Sequence, residues 1–429
     1  MSSNIKIKRK LKIVPNLKIN KNINNIQLEY SQLSKEITSL LSKEVKKENG
    51  IYFTPPSCIK KNMLILEPYL DNISTVLEPS CGSCEYILTL NKICENISIT
   101  GIELNESIYN KIKHLNTNNI QILNEDFLKY TITKKYDLII GNPPYFVIKK
   151  GDVETKYHKY FEGRPNIFVL FVIKSLECLN DNGILSFVLP KSFTNCLYYN
   201  KVRKYIYENY QIIDIVECSD DKYIETQQDT ILFIVRKQDS INNKDFVLET
   251  EHITILSDKK SILKLKNLFK DSTTLSSLGF TVSVGNVVWN QVKHLLTDDE
   301  TKTRLIYSSD IKNNELIKKT YSNVDKKNYI NKVGTNEVML VVNRGYGVGT
   351  YNFDYCLINV EFDYLIENHL ICIKYQNKDN NISKEECLNL YQNIIDSLNN
   401  PKTVEFIKNY FGNNAINTTE LNYILPIYI

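Results

Sequence analysis

The residues with the most chemistry packed into the fewest positions are Asn142-Pro143-Pro144-Tyr145. They follow Tyr136-Asp-Leu-Ile-Ile-Gly141, in which Asp137–Ile140 is the short apolar run of a buried strand. A loop at the carboxyl end of such a strand lies on the edge where open α/β sheets bind ligands. Two consecutive prolines fix φ and carry no N–H, so the turn is stiff and presents carbonyl acceptors. This set suits a planar ring bearing an exocyclic amine: Asn142 Oδ1 and the Pro143 carbonyl accept its N–H hydrogens while Tyr145 stacks on its face. The bland alternative is a turn with a core tyrosine, and the order of residue types favours the first.

A second set lies upstream. Val76-Leu-Glu78-Pro-Ser-Cys81-Gly82-Ser-Cys84 follows a predicted strand and turns into a helix. Small residues there let backbone approach a ligand, and the helix start supplies N–H groups. Glu103 ends the next strand, where an acid accepts from ribose hydroxyls. Asp126 closes the third in Asn-Glu-Asp-Phe-Leu, suited to accept from an adenine amine with Phe127 against the ring. Singly, each acid could equally be a cap or a surface residue; at successive strand ends they outline one nucleoside pocket. The Walker A lysine motif is absent, which disfavours ATP.

Elements able to position these residues alternate along the first half. Predicted strands are Thr75–Glu78, Ile97–Ile102, Ile120–Leu123, Asp137–Ile140, Gly183–Leu189, Ile212–Glu217 and Thr230–Val235. Helical patterns cover Cys58–Tyr69, Glu106–Leu115, Phe168–Leu179 and Asn200–Asn209, and Leu33 to Val45 spaces one amphipathic helix ending near Asn49-Gly50. That rhythm predicts an α/β domain with a mostly parallel, Rossmann-like sheet and an antiparallel hairpin at one edge. It breaks near Gln238–Lys244. The expected organisation is a basic, poorly ordered arm over 1–28, a catalytic domain over 29–240, and an α+β domain of short strands over 241–429.

Composition bounds the rest. The 42% hydrophobic and 24% charged fractions are those of a soluble globular protein. No apolar run reaches the length of a membrane span, and the N-terminus has no signal-peptide pattern. The ten cysteines at irregular spacing suggest reduced thiols in a cytoplasm-like compartment. Cys81 and Cys84 form a lone CxxC with no second pair, so no metal is expected. A net charge of +4 makes any nucleic-acid surface local. Lys6, Lys8, Arg9, Lys10, Lys12, Lys18 and Lys21 form one basic cluster, a phosphate-touching arm, a targeting signal or a solubilising tail.

The ordered set Thr54-Pro-Pro, Glu78-Pro-Ser-Cys-Gly82, Glu103, Asp126-Phe127 and Asn142-Pro-Pro-Tyr145 resembles the gamma class of S-adenosylmethionine-dependent DNA adenine-N6 methyltransferases, of the TaqI-like and Eco57I-like type. The resemblance continues through Gly183–Pro190, and Arg344-Gly-Tyr-Gly, Glu367-Asn-His-Leu370 and Phe411–Ala415 look like that family's target-recognition domain. Cys84 departs from it, standing where the family usually has glycine. The resemblance implies a class I methyltransferase fold with S-adenosylmethionine as cofactor. Thr54 would touch the methionine carboxylate, backbone at Cys81 and Gly82 would lie along the methionine, Glu103 would hold the ribose, and Asp126 with Phe127 the adenine.

It further implies a target adenine flipped out of double-stranded DNA, stacked between Tyr145 and an aromatic for which Tyr223 is the candidate. Lys149, Lys150, Lys156, His158, Lys159 and Arg164 follow the catalytic loop in a segment expected to be flexible, and Lys149, Lys156 and Arg164 are candidate phosphate contacts. Trp289, Arg304, Tyr307 and Arg344 are candidate DNA contacts of the second domain, whereas His369 reads as structural. A separate cognate endonuclease is a candidate partner, a fused nuclease is not expected, and a monomer in bacterial cytoplasm or a viral factory is the expected state. RNA adenine and protein glutamine methylation use similar loops and stay open as alternatives, as does a decayed DNA-binding protein.

Overall fold

The computed structural model describes residues 23–429 apart from 95–96, 219–220, 222, 225–227, 345–353, 377–381 and 411–415. The basic cluster Lys6–Lys21, the glycines after Arg344 and the Phe411–Ala415 motif lie outside the described residues. The chain forms two compact units. The first runs to Glu249 and takes in Thr254–Lys259; the second comprises Thr250–Ile253 and Lys260–Ile429.

In the first unit, helix α1 (Gln32–Leu40) and α2 (Lys43–Asn49) precede α3 (Pro56–Leu66). Then come β1 (Thr75–Glu78), α4 (Glu85–Ile93), β2 (Ser98–Glu103), α5 (Glu106–Ile112), β3 (Ile120–Asn124) and β4 (Tyr136–Gly141). The unit continues with α6 (Ile167–Glu177), β5 (Leu179–Pro190), α7 (Asn200–Asn209), β6 (Gln211–Glu217), β7 (Thr230–Arg236), β8 (Val247–Glu249) and β9 (Thr254–Leu256). All seven predicted sheet strands are present. The expected single helix from Leu33 to Asn49 is two, because Ser42 stops the first and caps the second, its Oγ accepting from Val45 N.

The seven strands lie in the order β3-β2-β1-β4-β5-β7-β6. β7 enters antiparallel between β5 and β6, and the other strand pairs are parallel. Both faces of the sheet are covered. Val76, Leu138 and Ile140 point into a core with Cys58, Met63 and Ile87 of α3 and α4, while Leu77 and Ile139 point into one with Phe168, Val172 and Val202 of α6 and α7. The alternation is that of a strand, and each fully buried aliphatic side chain contributes roughly 1.5–3 kcal/mol. Asp137 accepts from Ser74, Thr75 and Asn180, pinning the starts of β1 and β4 to β5. This is the class I methyltransferase fold.

The expected boundary after residue 240 comes too early. β8 and β9 pair with each other and stay with the first unit, where Leu256 joins the core and the Thr254 carbonyl accepts from Arg203 Nε at 2.6 Å.

The second unit has as its first helix α8 (Lys259–Phe269), whose opening residue still belongs to the first unit. Its strands are β10 (Phe280–Val284), β11 (Leu296–Thr297), β12 (Thr303–Ile306), β13 (Ile311–Lys312), β14 (Glu315–Leu316), β15 (Tyr329–Ile330), β16 (Met339–Asn343), β17 (Tyr355–Ile358), β18 (Tyr364–Ile366) and β19 (Leu370–Tyr375). Helices α9 (Lys384–Leu398), α10 (Pro401–Tyr410) and α11 (Thr418–Tyr423) close it. Two four-stranded sheets, β10-β19-β16-β17 and β11-β15-β12-β18, give an α+β unit. No helix among the described residues is long and apolar enough to cross a membrane.

Candidate active site

Strand order reverses between β1 and β4, which makes the carboxyl ends of these two strands the switch point of the sheet. A cavity of about 400 Å³ opens there. Thr54, Glu78, Cys81, Gly82, Glu103, Asp126, Phe127 and Asn142 all line it. The sequence-predicted cofactor set therefore converges on one hollow, of a size suited to a nucleoside-bearing ligand.

Glu78 ends β1 fully buried, and its Oε2 has no hydrogen-bond partner. Burial holds its carboxyl well above the usual range, reinforced by Cys84 and opposed by the Ile87 N–H. A buried acceptor without a donor fits a ligand that brings a cation, and the ammonium of S-adenosylmethionine is one. Glu103 ends β2; its two oxygens accept from Gly82 N at 2.9 Å and Asn105 N at 2.7 Å. Burial raises its pKa from 4.5 to about 7 against those N–H bonds. Asp126 Oδ1 accepts from Leu128 N at 2.9 Å, which sets its carboxylate at the β3 end, and Phe127 packs on Phe171 with ring centroids 5.1 Å apart.

The turn between β1 and α4 needs a left-handed residue twice. Gly82 has φ +50, with the Phe53 ring 3.1 Å from where a Cβ would sit. Cys84, the departure from the family pattern, has φ +61 at the N-cap of α4. A glycine adopts that conformation freely, whereas an L side chain costs about 1 kcal/mol or more there. The turn is braced from outside by α1: Ser34 Oγ bonds Ser83 Oγ at 2.7 Å and Glu85 Oε1, and Ser31 N donates to Glu85.

Asn142 follows Gly141 at the end of β4. Its Nδ2 donates to the Tyr52 carbonyl at 3.0 Å, which fixes the amide so that Oδ1 is left as the acceptor on the side of the Tyr145 hydroxyl. Its carbonyl accepts from Ser80 Oγ at 3.2 Å, tying the loop to the β1 turn. Pro144 and Phe146 also line the cavity, and Pro143 is buried beside them. The Tyr145 hydroxyl lies inside the protein, in contact with Asn142 Oδ1 and 2.7 Å from the Val188 carbonyl, while its ring meets Phe168 edge-on. Burial, and after it Tyr223, holds this phenol protonated. Tyr223 itself is half-buried, its hydroxyl 3.3 Å from Thr230 Oγ1, and it borders a small hollow with Tyr52 and Phe53.

Sequence reasoning missed the part played by Gly50. It ends α2 with φ +63, and a Cβ there would lie 2.8 Å from Tyr145 N and 3.2 Å from Pro144 Cβ. The chain entering the cavity wall thus crosses directly over the Asn142–Tyr145 loop. The Asn-Gly after a helical pattern was the available signal.

Several expected nucleic-acid contacts need correction. The segment after Phe146 is packed, not loose: Val153, Tyr157, Tyr160 and Phe161 are core residues, and Ile148 N bonds the Pro165 carbonyl at 3.0 Å. Lys149 and Arg164 remain exposed, whereas Lys156 pairs with Glu154 at 3.0 Å and lies over the Tyr157 ring. In the second unit, Arg304 is 5% exposed and bound to Asp310 at 3.0 Å and the Asn328 carbonyl at 2.9 Å. Tyr307 is 1% exposed with its hydroxyl on the Lys327 carbonyl. Both are core residues and cannot reach a base edge. Trp289 is half-buried against the core cluster that includes Leu305 and Tyr307; Arg344 is half-buried just beyond β16. His369 binds Glu367 through both Nδ1 and its backbone N–H.

The chain matches the Eco57I restriction-modification methylase family over residues 8–224, just over half its length. It belongs to that family. It is a DNA methyltransferase of the restriction-modification kind, with S-adenosylmethionine as its methyl donor. The chain is 27% identical to the type II methyltransferase M.CvrRI of Paramecium bursaria Chlorella virus XZ-6E, over 80% of this chain and 88% of that protein. It is 34% identical to the modification methylase CviBIII of Paramecium bursaria Chlorella virus NC1A, over 42% of this chain and 47% of that protein. Among solved structures, a putative class I S-adenosylmethionine-dependent methyltransferase from Listeria monocytogenes overlaps 50% of this chain and 72% of its own, at 21% identity and a TM-score of 0.39.

Proposed function

We propose that this methylase transfers a methyl group to N6 of an adenine held outside the stack of duplex DNA, as a type II modification enzyme. The observation that carries this reading is the Asn142 amide, locked by the Tyr52 carbonyl at the lip of the cofactor cavity and followed by the Pro143 carbonyl.

Adenine N6 is a poor nucleophile because its lone pair is delocalised into the ring. Asn142 Oδ1 and the Pro143 carbonyl accept its two hydrogens, draw them out of the ring plane and localise the lone pair on nitrogen. S-adenosylmethionine, when bound, supplies an electrophilic methyl carbon on a sulfonium sulfur. Transfer would form a C–N bond to that carbon as the C–S bond breaks, and Asn142 Oδ1 with the Pro143 carbonyl would stabilise the positive charge that develops on N6. One N6 proton then leaves to solvent. Thr54, Glu78, Cys81 and Gly82 hold the methionine end, Glu103 the ribose, and Asp126 with Phe127 the adenine of the cofactor.

N6 is inside the stack of a duplex, so the target base is flipped out and held against Tyr145, with Tyr223 as the second wall. Lys149 and Arg164, exposed beside the loop, contact phosphates, with Lys156 a weaker candidate because Glu154 already pairs it. The second unit recognises the site, and Trp289 and Arg344 remain its candidate contacts. The enzyme acts as a monomer beside a separate cognate endonuclease. Incubation of the full chain with methyl-labelled S-adenosylmethionine and mixed duplex DNA, followed by nucleoside analysis, tests the reading: label in N6-methyladenine supports it, and label in a cytosine, in RNA or in protein alone overturns it.

A further inference from the structure

Cys58 and Cys218 are 160 positions apart in sequence, yet their sulfurs lie 3.4 Å apart in the first unit. Cys58 sits on the opening turn of α3, just after Thr54-Pro55-Pro56. Cys218 directly follows β6 and begins the segment to β7 that carries Tyr223. Both are buried, and neither backbone is loose: Ile59 N bonds the Pro55 carbonyl at 3.1 Å and Cys218 N bonds the Thr230 carbonyl at 2.9 Å. Closing a disulfide needs the sulfurs about 2.05 Å apart, an approach of about 1.4 Å from where they lie.

A carboxylate completes the cluster. Asp221 has an oxygen within 4.8 Å of both sulfurs and pairs with Lys61 Nζ at 2.8 Å. Two thiols and a carboxylate also have the composition of a cation site. Here, however, the Lys61 ammonium already neutralises Asp221, and a divalent ion would have to displace it. The arrangement is better suited to sulfur–sulfur chemistry. Lys61 is partly exposed, and Asp221 is buried.

We propose that Cys58 and Cys218 are a modification site: a reversible disulfide that fastens the Tyr223 segment to α3 and slows methyl transfer. The oxidant is a low-molecular-weight disulfide. One cysteine thiolate attacks a sulfur of the oxidant and expels one thiolate. The second cysteine thiolate attacks the mixed disulfide and expels the other. Two protein thiols are oxidised, one disulfide is reduced to two thiols, and the two cysteine protons end on the released thiols. The hydrogen bond to Cys218, burial and the Asp221 charge all push the Cys58 thiol up, so the resting pair reacts slowly, and removing the Asp221 charge speeds closure. The effect on rate rests on the assignment of Tyr223 as a wall of the base site; formation of the bond does not.

The test treats the full chain with oxidised glutathione, blocks remaining thiols by alkylation, maps peptides by mass and measures methyl transfer to duplex DNA in parallel. The expected result is a Cys58–Cys218 linked peptide, a severalfold fall in rate, and recovery on reduction with dithiothreitol. Cys58→Ala and Cys218→Ala each lose both the link and the sensitivity while keeping reduced-state activity, and Asp221→Asn closes faster than the parent. Full alkylation of both cysteines after oxidant overturns the site, as does a stoichiometric bound metal that shields them. A link that forms with no change in rate overturns the tether alone, which separates failure of the base-wall assignment from failure of the site.

Discussion

The Tyr145 hydroxyl lies in hydrogen-bond contact with Oδ1 of Asn142, the oxygen proposed to receive the substrate amine. An amide oxygen has two lone pairs, so phenol and amine can share it. In the proposed reaction the phenol orients the acceptor, while the ring supplies the stacking face. Tyr145→Phe keeps the face and removes the donor. At roughly 0.5–1.5 kcal/mol for a net hydrogen bond, single-turnover methyl transfer falls by about two- to tenfold. S-adenosylmethionine affinity stays unchanged, as equilibrium dialysis will report, and a larger loss in affinity than in rate would contradict the role.

Glu78 carries an unpaired buried oxygen that a ligand can satisfy. Glu78→Gln removes, at constant size, the carboxyl group that a bound ammonium would ionise. Hydrogen bonds to charged groups are worth roughly 1.5–3 kcal/mol, so the Kd for S-adenosylmethionine, measured by calorimetry, rises by about ten- to a hundredfold. The same change relieves a buried acid, so thermal unfolding of the ligand-free variant at pH 8 moves up rather than down.

Glu103 titrates in the physiological range. Because burial raises its pKa to about 7 from 4.5, its neutral form favours the ligand-free fold, and that contribution is lost as pH rises through about 7. In the proposed role of Glu103, ribose hydroxyls donate to the ionised form, so binding releases a proton below about pH 7 and affinity strengthens from pH 6 towards pH 7.5. Calorimetry in buffers of different ionisation enthalpy measures that proton. Glu103→Gln abolishes this part of the profile, and an unchanged profile would assign the proton elsewhere.

Gly50 permits the chain to cross the Asn142–Tyr145 loop. Gly50→Ala places a methyl 2.8 Å from Tyr145 N in a left-handed conformation, so either the loop or α2 shifts. Methyl transfer falls at least tenfold, since reacting groups displaced by about 1 Å can lose two orders of magnitude. A folded, fully active Gly50→Ala protein would show that the contact does not position the loop.

Much of this was legible in the sequence because periodicity and loop chemistry are local. The seven sheet strands and the loop acids at the ends of β1, β2 and β3 follow from apolar runs and from residue type at their ends. What was not legible depends on distant neighbours. Arg304 reads as a base contact by type, yet it is consumed by Asp310 and Asn328, partners set by a turn and by pairing with β15. The lysines after Phe146 suggested a loose loop, whereas the interleaved Tyr157 and Tyr160 anchor it. The break at Ser42 depended on one capping hydroxyl. The brace from Ser34 to Ser83 joins residues 49 apart that carry no motif.

The most direct test of the central claim is methylation of duplex DNA by the full chain, read by long-read detection of modified bases beside Asn142→Ala. The account predicts N6-methyladenine within one short motif. It predicts loss of roughly a hundred- to a thousandfold in the variant, the effect of removing one donor or acceptor preorganised for developing charge. Methylated cytosine, or adenine methylation undiminished in Asn142→Ala, would contradict it.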